Sequence, residues 1–233
     1  MFLRLIAKLA LFMKLNSFIA AAGIVIGGSV LFSSCVQKNY YGANPNNNNN
    51  NNTNGQYVFD EEFNGADNYG WSFTDAADSA YASITSGSYQ YVDYSAVKSN
   101  MSSVNTGANV QNNFTVTTRV KSNNLIGLII GASATSNGYA FYIDTAGNYS
   151  LYQEGSGGNA SIPIISSTQD TLYSHKNDWN ILELDQTNGV WTAYINGTQV
   201  FTMAARSLSG PGFGFKILPG TTGYADYLTV RND

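Results

Sequence analysis

The chain has 233 residues, of which 43% are hydrophobic and 11% charged, and it contains a single Cys and a single His. One cysteine excludes an internal disulfide, and one histidine excludes a metal centre built from several histidines. The charged share lies far below the usual value of about 25%, which together with 23 Gly and 16 Tyr indicates strands and turns instead of a helical bundle or coiled coil.

The first 34 residues have the features of an export signal. Three basic residues, Arg4, Lys8 and Lys14, precede an uncharged stretch that runs from Leu15 to Gln37, the order found in signal peptides. Glycine, serine and asparagine dilute this stretch too strongly for a membrane span, which needs about 20 mostly apolar residues. The sequence Leu-Phe-Ser-Ser before Cys35 resembles the lipobox of a bacterial lipoprotein, in a loose form like that of the Bacteroidota, with Phe32 where Leu is usual.

This resemblance implies that Cys35 is acylated through its thiol and becomes the mature N-terminus. Its acyl chains would hold the protein on the lipid bilayer of the cell envelope, and we expect the outer membrane, with the periplasmic or surface side open. The alternative is an ordinary free thiol at the end of a membrane helix. Met13 is an alternative start, since a compact signal could begin there.

Removal of this signal leaves 8 basic and 15 acidic residues, a balance of −7. No basic patch remains to attract nucleic acid or anionic lipid, so we expect no nucleic-acid partner.

Residues 35–56 form a predicted linker behind the lipidated cysteine. They include seven consecutive asparagines, Asn46 to Asn52, and the tract offers no apolar side chains to bury. A flexible chain of this length spans about 25 Å on average. We therefore expect a tether between the membrane and a single domain that comprises residues 57–233.

Residues 57–233 alternate short β-rich runs with turn clusters, and this pattern predicts an all-β sandwich of two antiparallel sheets. Asn188-Gly189 and Asn196-Gly197 predict tight hairpins, and Gly147 supplies the positive φ of another turn. In the run that begins at Trp179, alternation places Leu182 and Leu184 in the core, and Glu183 outside. The predicted strands are 57–63, 81–85, 88–94, 114–121, 125–132, 139–144, 149–154, 179–185, 190–195, 199–202, 212–217 and 224–231.

Several motifs of this region resemble concanavalin A-like lectin/glucanase jelly rolls, of the laminin-G-like and keto-disaccharide-hydrolase-like kind. They are Gly138-Tyr139-x-Phe141-x-Ile143-Asp144, Trp179-Asn180-x-Leu182, Tyr194-x-Asn196-Gly197-x-x-Val200-Phe201, Gly210-x-Gly212-x-Gly214-Phe215 and Asp226-Tyr227-Leu228-x-Val230. The resemblance implies a jelly-roll fold, which hosts lectins, glycosidases and adhesion modules alike.

An enzyme of this fold would need a pair of carboxylates across the scissile bond. The nearest match to the Glu-x-Asp-x-x-Glu strand of such glycosidases is Glu183-Leu184-Asp185, which lacks the second Glu, so we interpret Glu183 as a solvated strand residue. Asp60 and Glu62 share a strand face and could cooperate. His175 is expected in an exposed loop. We therefore predict no catalytic residues, with a glycoside hydrolase as the alternative.

Binding of a glycan or polysaccharide is the leading hypothesis, because sugar C–H faces pack on aromatic rings while hydroxyls pair with amides and carboxylates. Phe141, Ile143 and Leu151 are expected in the core. This leaves two rings, Tyr142 and Tyr152, on the other face among small neighbours. Further candidates for ligand binding are Trp71, Tyr89 and Tyr91. The alternatives are that these rings fill the sandwich, or that the lipoprotein has a structural or adhesive role and binds protein.

The resemblance also implies a structural Ca²⁺, because several enzymes of the superfamily hold one near the last strand. By position, Asp226 and Gly87 resemble its ligands, with Asp60 nearby, and hard oxygen ligands suit this ion. The alternative for Asp226 is a carboxylate that pairs with backbone amides.

Overall fold

The structure is a computed structural model that describes residues 57–95, 101–156, 159–169, 175 and 178–233. The predicted signal peptide, the lipidation site Cys35 and the predicted Asn-rich linker lie outside the described residues. Within the described part, the secondary structure consists of β-strands, and no helix there is long and apolar enough to cross a bilayer.

The described residues of the domain form fifteen strands. In chain order they are β1 (Tyr57–Glu61), β2 (Phe73–Asp75), β3 (Ala80–Thr85), β4 (Ser88–Asp93), β5 (Met101–Asn105), β6 (Phe114–Ser122), β7 (Leu125–Ala132), β8 (Tyr139–Asp144), β9 (Asn148–Gln153), β10 (Ile162–Gln169), β11 (Asn180–Thr187), β12 (Val190–Ile195), β13 (Thr198–Ala204), β14 (Gly212–Ile217) and β15 (Thr221–Asn232).

The strands form two antiparallel sheets. Sheet A has the order β13-β12-β11-β6-β15-β4-β3-β2, with β1 also paired to β15, and sheet B has the order β10-β9-β8-β7-β14-β5. Many neighbours in these sheets are consecutive strands joined by hairpins, whereas others, such as β6 and β15, are distant in sequence. The predicted all-β fold, a two-sheet antiparallel jelly-roll sandwich, is confirmed.

The core lies between the sheets, and strands β6, β11 and β12 of sheet A alternate buried with more exposed side chains. On β11, Leu182 and Leu184 are fully buried and Glu183 faces outward, as predicted. From sheet B, the predicted core residues Phe141, Ile143 and Leu151 belong to the same cluster.

The predicted turns close the hairpins that fix the register of these strands. Asn188-Gly189 and Asn196-Gly197 have positive φ at both residues, the conformation of a type I′ turn. Gly147 also has a positive φ, and the carboxylate of Asp144 accepts hydrogen bonds from Ala146 N and Asn148 N at 2.8 and 2.9 Å.

Candidate functional site

The outward face of sheet A carries rows of polar side chains that cross three adjacent strands. Glu183 on β11 pairs in register with Thr117 on β6, which pairs in turn with Thr229 on β15. The next outward row contains Asp185, Thr115 and Arg231 in the same order. Directly paired residues point to the same face, so these six side chains lie side by side.

A groove of about 520 Å³ runs over these rows. Its size lies within the range of about 300–1,000 Å³ typical of small-molecule sites. Carboxylates, threonine hydroxyls, one guanidinium and two phenol rings line it, and we call it the sheet A groove. Its residues are Tyr57, Glu62, Thr115, Thr117, Glu183, Asp185, Tyr227, Thr229 and Arg231.

Glu183 is the most constrained carboxylate of the groove. Its Oε2 accepts a hydrogen bond from Thr117 Oγ1 at 3.1 Å. Burial raises the pKa of Glu183 and the charge of Asp185 raises it further, while the Thr117 hydrogen bond and Arg231 act in the opposite direction. Glu183 therefore holds a proton more readily than an ordinary glutamate. The prediction that it points outward is correct, but it is half-buried and not fully solvated.

A second carboxylate, Glu62, reaches the groove from the end of β1. Asp60 pairs in register with Thr229 and so shares the outward face, whereas the intervening Glu61 is buried and accepts a hydrogen bond from Phe63 N at 2.9 Å. Burial raises the pKa of the Tyr227 phenol; Arg119 lowers it, and the carboxylates of Asp226, Glu183 and Glu62 raise it. Sequence reasoning treated Glu62 and Glu183 separately, and strand pairing is what brings them to one groove.

Tyr142 does not have the accessible ring that the sequence suggested. It is 1% exposed, and its hydroxyl donates a hydrogen bond to Glu154 Oε1 at 2.7 Å. Its register partner is Gly127, where an added Cβ would lie 2.5 Å from the Tyr142 ring. The small neighbours expected to leave the ring open instead let it lie flat on sheet B. Tyr152 is half-buried and packs edge-on against Tyr142, with ring centroids 5.9 Å apart.

The further candidates Trp71, Tyr89 and Tyr91 are buried and at most 1% exposed, which agrees with the alternative interpretation that these rings fill the sandwich. Trp71 lies 5.4 Å from Phe63 and 5.4 Å from Tyr89 between ring centroids. These rings fill the space between the sheets and belong to the main core cluster. Burial removes the contact surface on which their proposed role in ligand binding depended.

Besides the two phenol rings of the groove, Trp179 and Tyr224 lie on the outward face of sheet A, where they flank Lys121. Lys121 Nζ lies 5.1 Å from the Trp179 ring centroid and 5.6 Å from that of Tyr224. Arg119 also lies over Trp179, at 4.9 Å. Alternation along the sequence places Trp179 on the same face as Glu183, so the outward position of Trp179 could be predicted. Nothing local in the sequence indicates that Tyr224 lies beside it.

The predicted calcium ligands do not fit a Ca²⁺ site in the arrangement observed. Asp226 accepts a hydrogen bond from Arg119 Nη1 at 2.8 Å, so a guanidinium occupies the place of a cation. Gly87 forms the β3–β4 turn with Ser86 and has a φ of 74°. This positive φ favours glycine, so the turn accounts for the glycine without a metal ion. Among the described residues, no three His, Cys, Asp or Glu side chains form a group that could hold a metal ion.

His175 is exposed, as predicted, and its Nδ1 lies 3.2 Å from the carbonyl oxygen of Trp179. Asn180 holds this segment, because its Oδ1 accepts a hydrogen bond from His175 N at 2.6 Å and its Nδ2 donates one to His175 O at 2.8 Å. The histidine therefore helps to shape the chain before β11.

No protein-family model and no curated protein matches the chain in sequence. Among solved structures, the chain is similar to the carbohydrate-binding module CBM66 from Bacillus subtilis, with 13% identity, 78% of this chain and 98% of that chain covered, and a TM-score of 0.45. It is similar to the laminarinase catalytic domain of Thermotoga maritima, with 14% identity, coverages of 77% and 98% and a TM-score of 0.46. It is also similar to a β-glucanase of Bacillus licheniformis, with 12% identity, coverages of 77% and 99% and a TM-score of 0.43.

Proposed function

We propose that the domain binds carbohydrate in the sheet A groove. The observation that carries the proposal is the composition of the groove wall, where threonine hydroxyls and carboxylates alternate with the phenol rings of Tyr57 and Tyr227. Sugar hydroxyls pair with carboxylate and hydroxyl oxygens, and the apolar C–H faces of sugar rings pack on aromatic rings. Regular strands position the lining residues, so the groove is formed before the ligand arrives.

Affinity electrophoresis of the full chain in gels that contain single polysaccharides tests this proposal. At least one polysaccharide should retard the wild-type chain, and Tyr227→Ala should lose most of the retardation because it removes a groove wall. Ser167→Ala, at an exposed position on β10 of sheet B, is the matched control and should migrate like the wild type. Migration unaffected by every polysaccharide would contradict the proposal, and specific capture of a protein instead would favour an adhesive role.

Hydrolysis of the bound glycan is the second candidate function. It is favoured by the raised pKa of Glu183, which burial and Asp185 cause, because a general acid must retain its proton near the working pH. Glu62 supplies another carboxylate to the same groove. Under this hypothesis, Glu183→Gln should still be retarded by the polysaccharide but should release no reducing sugar. Retardation of the wild type with no release of reducing sugar would leave binding as the whole function.

The proposal includes attachment of the domain to the cell envelope through acylated Cys35. Its support is the order of basic segment, uncharged segment and small residues before the single cysteine. Mass spectrometry of the mature N-terminal peptide should find Cys35 as the first residue, carrying acyl chains, and Cys35→Ser should remain unacylated. A mature chain that begins elsewhere, or an unmodified thiol, would contradict the anchor while leaving the groove untouched.

A further inference from the structure

Unlike most other basic side chains of the described domain, Lys121 packs against aromatic rings and not against a carboxylate. Three cations form ion pairs, Arg119 with Asp226, Lys216 with Glu154 and Arg231 with Asp233. Across the part of the chain that the structure describes, no carboxylate forms an ion pair with Lys121. Its ammonium is instead held between the rings of Trp179 and Tyr224, at 5.1 and 5.6 Å from their centroids. Cation–π contacts of this kind orient a charge without neutralising it.

The two acidic residues that share a cavity with Lys121 accept hydrogen bonds from backbone amides. Asp144 and Asp178 line a small cavity together with Lys121. Asp144 accepts hydrogen bonds from Ala146 N, Asn148 N and the Asn148 side chain at 2.8–2.9 Å, and Asp178 accepts one from Trp179 N at 2.7 Å. These hydrogen bonds hold both carboxylates in their turns, and neither carboxylate forms an ion pair with Lys121.

Lys121 opens onto a depression of about 420 Å³ on the outward face of sheet A. Ser122, Asn123, Thr222 and Tyr224 complete its lining, so the depression contains hydroxyl and amide groups as well as the ammonium. Lys121 and Thr117 lie on the same strand, β6, and four residues of strand span about 13 Å. The depression therefore continues the face that bears the sheet A groove, and the two sites have opposite charge.

We propose that this depression is a subsite for an anionic group, a carboxylate or a sulfate, on the glycan that the sheet A groove binds. The inference rests on the proposed function and narrows its ligand class. A uniformly charged polyanion would meet Glu62, Glu183 and Asp185 in the groove, and like charges repel. The charge distribution instead fits a largely neutral glycan with isolated acidic units, one of which pairs with Lys121.

The test compares acidic polysaccharides with neutral counterparts that share the same backbone. Glucuronoxylan and xanthan, whose acidic units are spaced along a largely neutral chain, are each used in native and carboxyl-reduced form, and a sparsely sulfated galactan in native and desulfated form. The full chain in detergent is titrated at low salt. The native form of at least one polysaccharide should bind more tightly than its neutral form, by about tenfold, the usual size of one charge-assisted hydrogen bond. Added salt should weaken this preference.

Lys121→Gln should abolish the preference and leave affinity for the neutral form unchanged within about twofold. Lys121→Arg should keep most of it, because the positive charge remains over the same rings. Arg206→Gln is the matched control, since it removes an exposed charge that follows β13 and is not part of the depression. It should leave the preference intact.

The outcomes separate this subsite from the proposed function. Polysaccharide binding that does not distinguish native from neutral forms, or that Lys121→Gln does not change, would overturn the subsite and leave the proposed function standing. If no polysaccharide binds in either form, both are wrong. If sulfated but not carboxylated forms depend on Lys121, or the reverse, the subsite stands and the result identifies its anion.

Discussion

Replacement of Trp71 with alanine should destabilise the domain strongly without a direct effect on ligand binding. The Trp71 side chain is 0% exposed and lies 5.4–5.7 Å from the rings of Phe63, Tyr89 and Phe215. A buried tryptophan removes roughly 150–250 Å² from water, which at about 25 cal/mol per Å² corresponds to about 4–6 kcal/mol. Measured Trp→Ala changes in cores cost about 3–5 kcal/mol. We expect a loss of this size, or roughly 6–20 °C in Tm for a domain of this length.

Urea unfolding followed by circular dichroism measures this loss, and Trp179→Ala is the matched control. Trp179 is part-exposed on the outward face of sheet A, so its replacement should cost less than about 1.5 kcal/mol. At temperatures where both variants are folded, Trp71→Ala should bind polysaccharide like the wild type, whereas Trp179→Ala should lose the preference for acidic forms. A Trp71→Ala chain that is as stable as the wild type but no longer binds would refute this assignment.

Three further predictions concern charge, packing and metal. Glu183→Gln should be more stable than the wild type near neutral pH, because the raised pKa of Glu183 in the fold costs the wild type stability as pH rises above the ordinary carboxyl range. Tm measured from about pH 4 to pH 8 should show this advantage shrinking toward acid. An advantage that grows toward acid would contradict the direction of the pKa shift. Gly127→Ala should lower the free energy of unfolding by about 1–3 kcal/mol, because the added Cβ would meet the ring of Tyr142. Gly65→Ala is the control and should cost little, because the space around Gly65 is open. Equal losses of stability in the two variants would contradict the packing of Tyr142 on Gly127. Excess Ca²⁺ or EDTA should leave Tm unchanged within about 1 °C, since Asp226 pairs with Arg119 and not with a metal ion. A clear rise of Tm with Ca²⁺ would contradict this and show that the domain binds the ion.

Most of the fold could be predicted because interior strands carry a strong local signal. β7, β8, β12 and β14 have the predicted bounds, and the hairpins follow from glycine positions that require a positive φ. Strands β2, β5 and β10 were not predicted from the sequence, and each lies at a sheet edge. Edge strands are short or one-sided in their contacts, and β10 contains Pro163, which a central strand would not tolerate.

The site could be predicted only in part, because its residues meet through pairing between distant strands. Alternation along β11 correctly placed Glu183 outside, but the meeting with Glu62 depends on the register of β1, β15 and β6. For the tyrosines, alternation gave the right face of sheet B for Tyr142 and the wrong exposure. An aromatic ring beside glycine and alanine can pack flat against the sheet or extend into solvent. The identity of the neighbouring residues does not distinguish these two conformations.

Mapping the bound polysaccharide by amide chemical-shift changes tests the central claim most directly. With a polysaccharide that retards the chain in gels, the largest changes should occur at Thr117, Glu183, Tyr227 and Thr229 in the sheet A groove, and they should extend to Lys121 for an acidic form. Changes concentrated on the outward face of sheet B, around Tyr152 and β10, would contradict the assignment of the glycan to this groove.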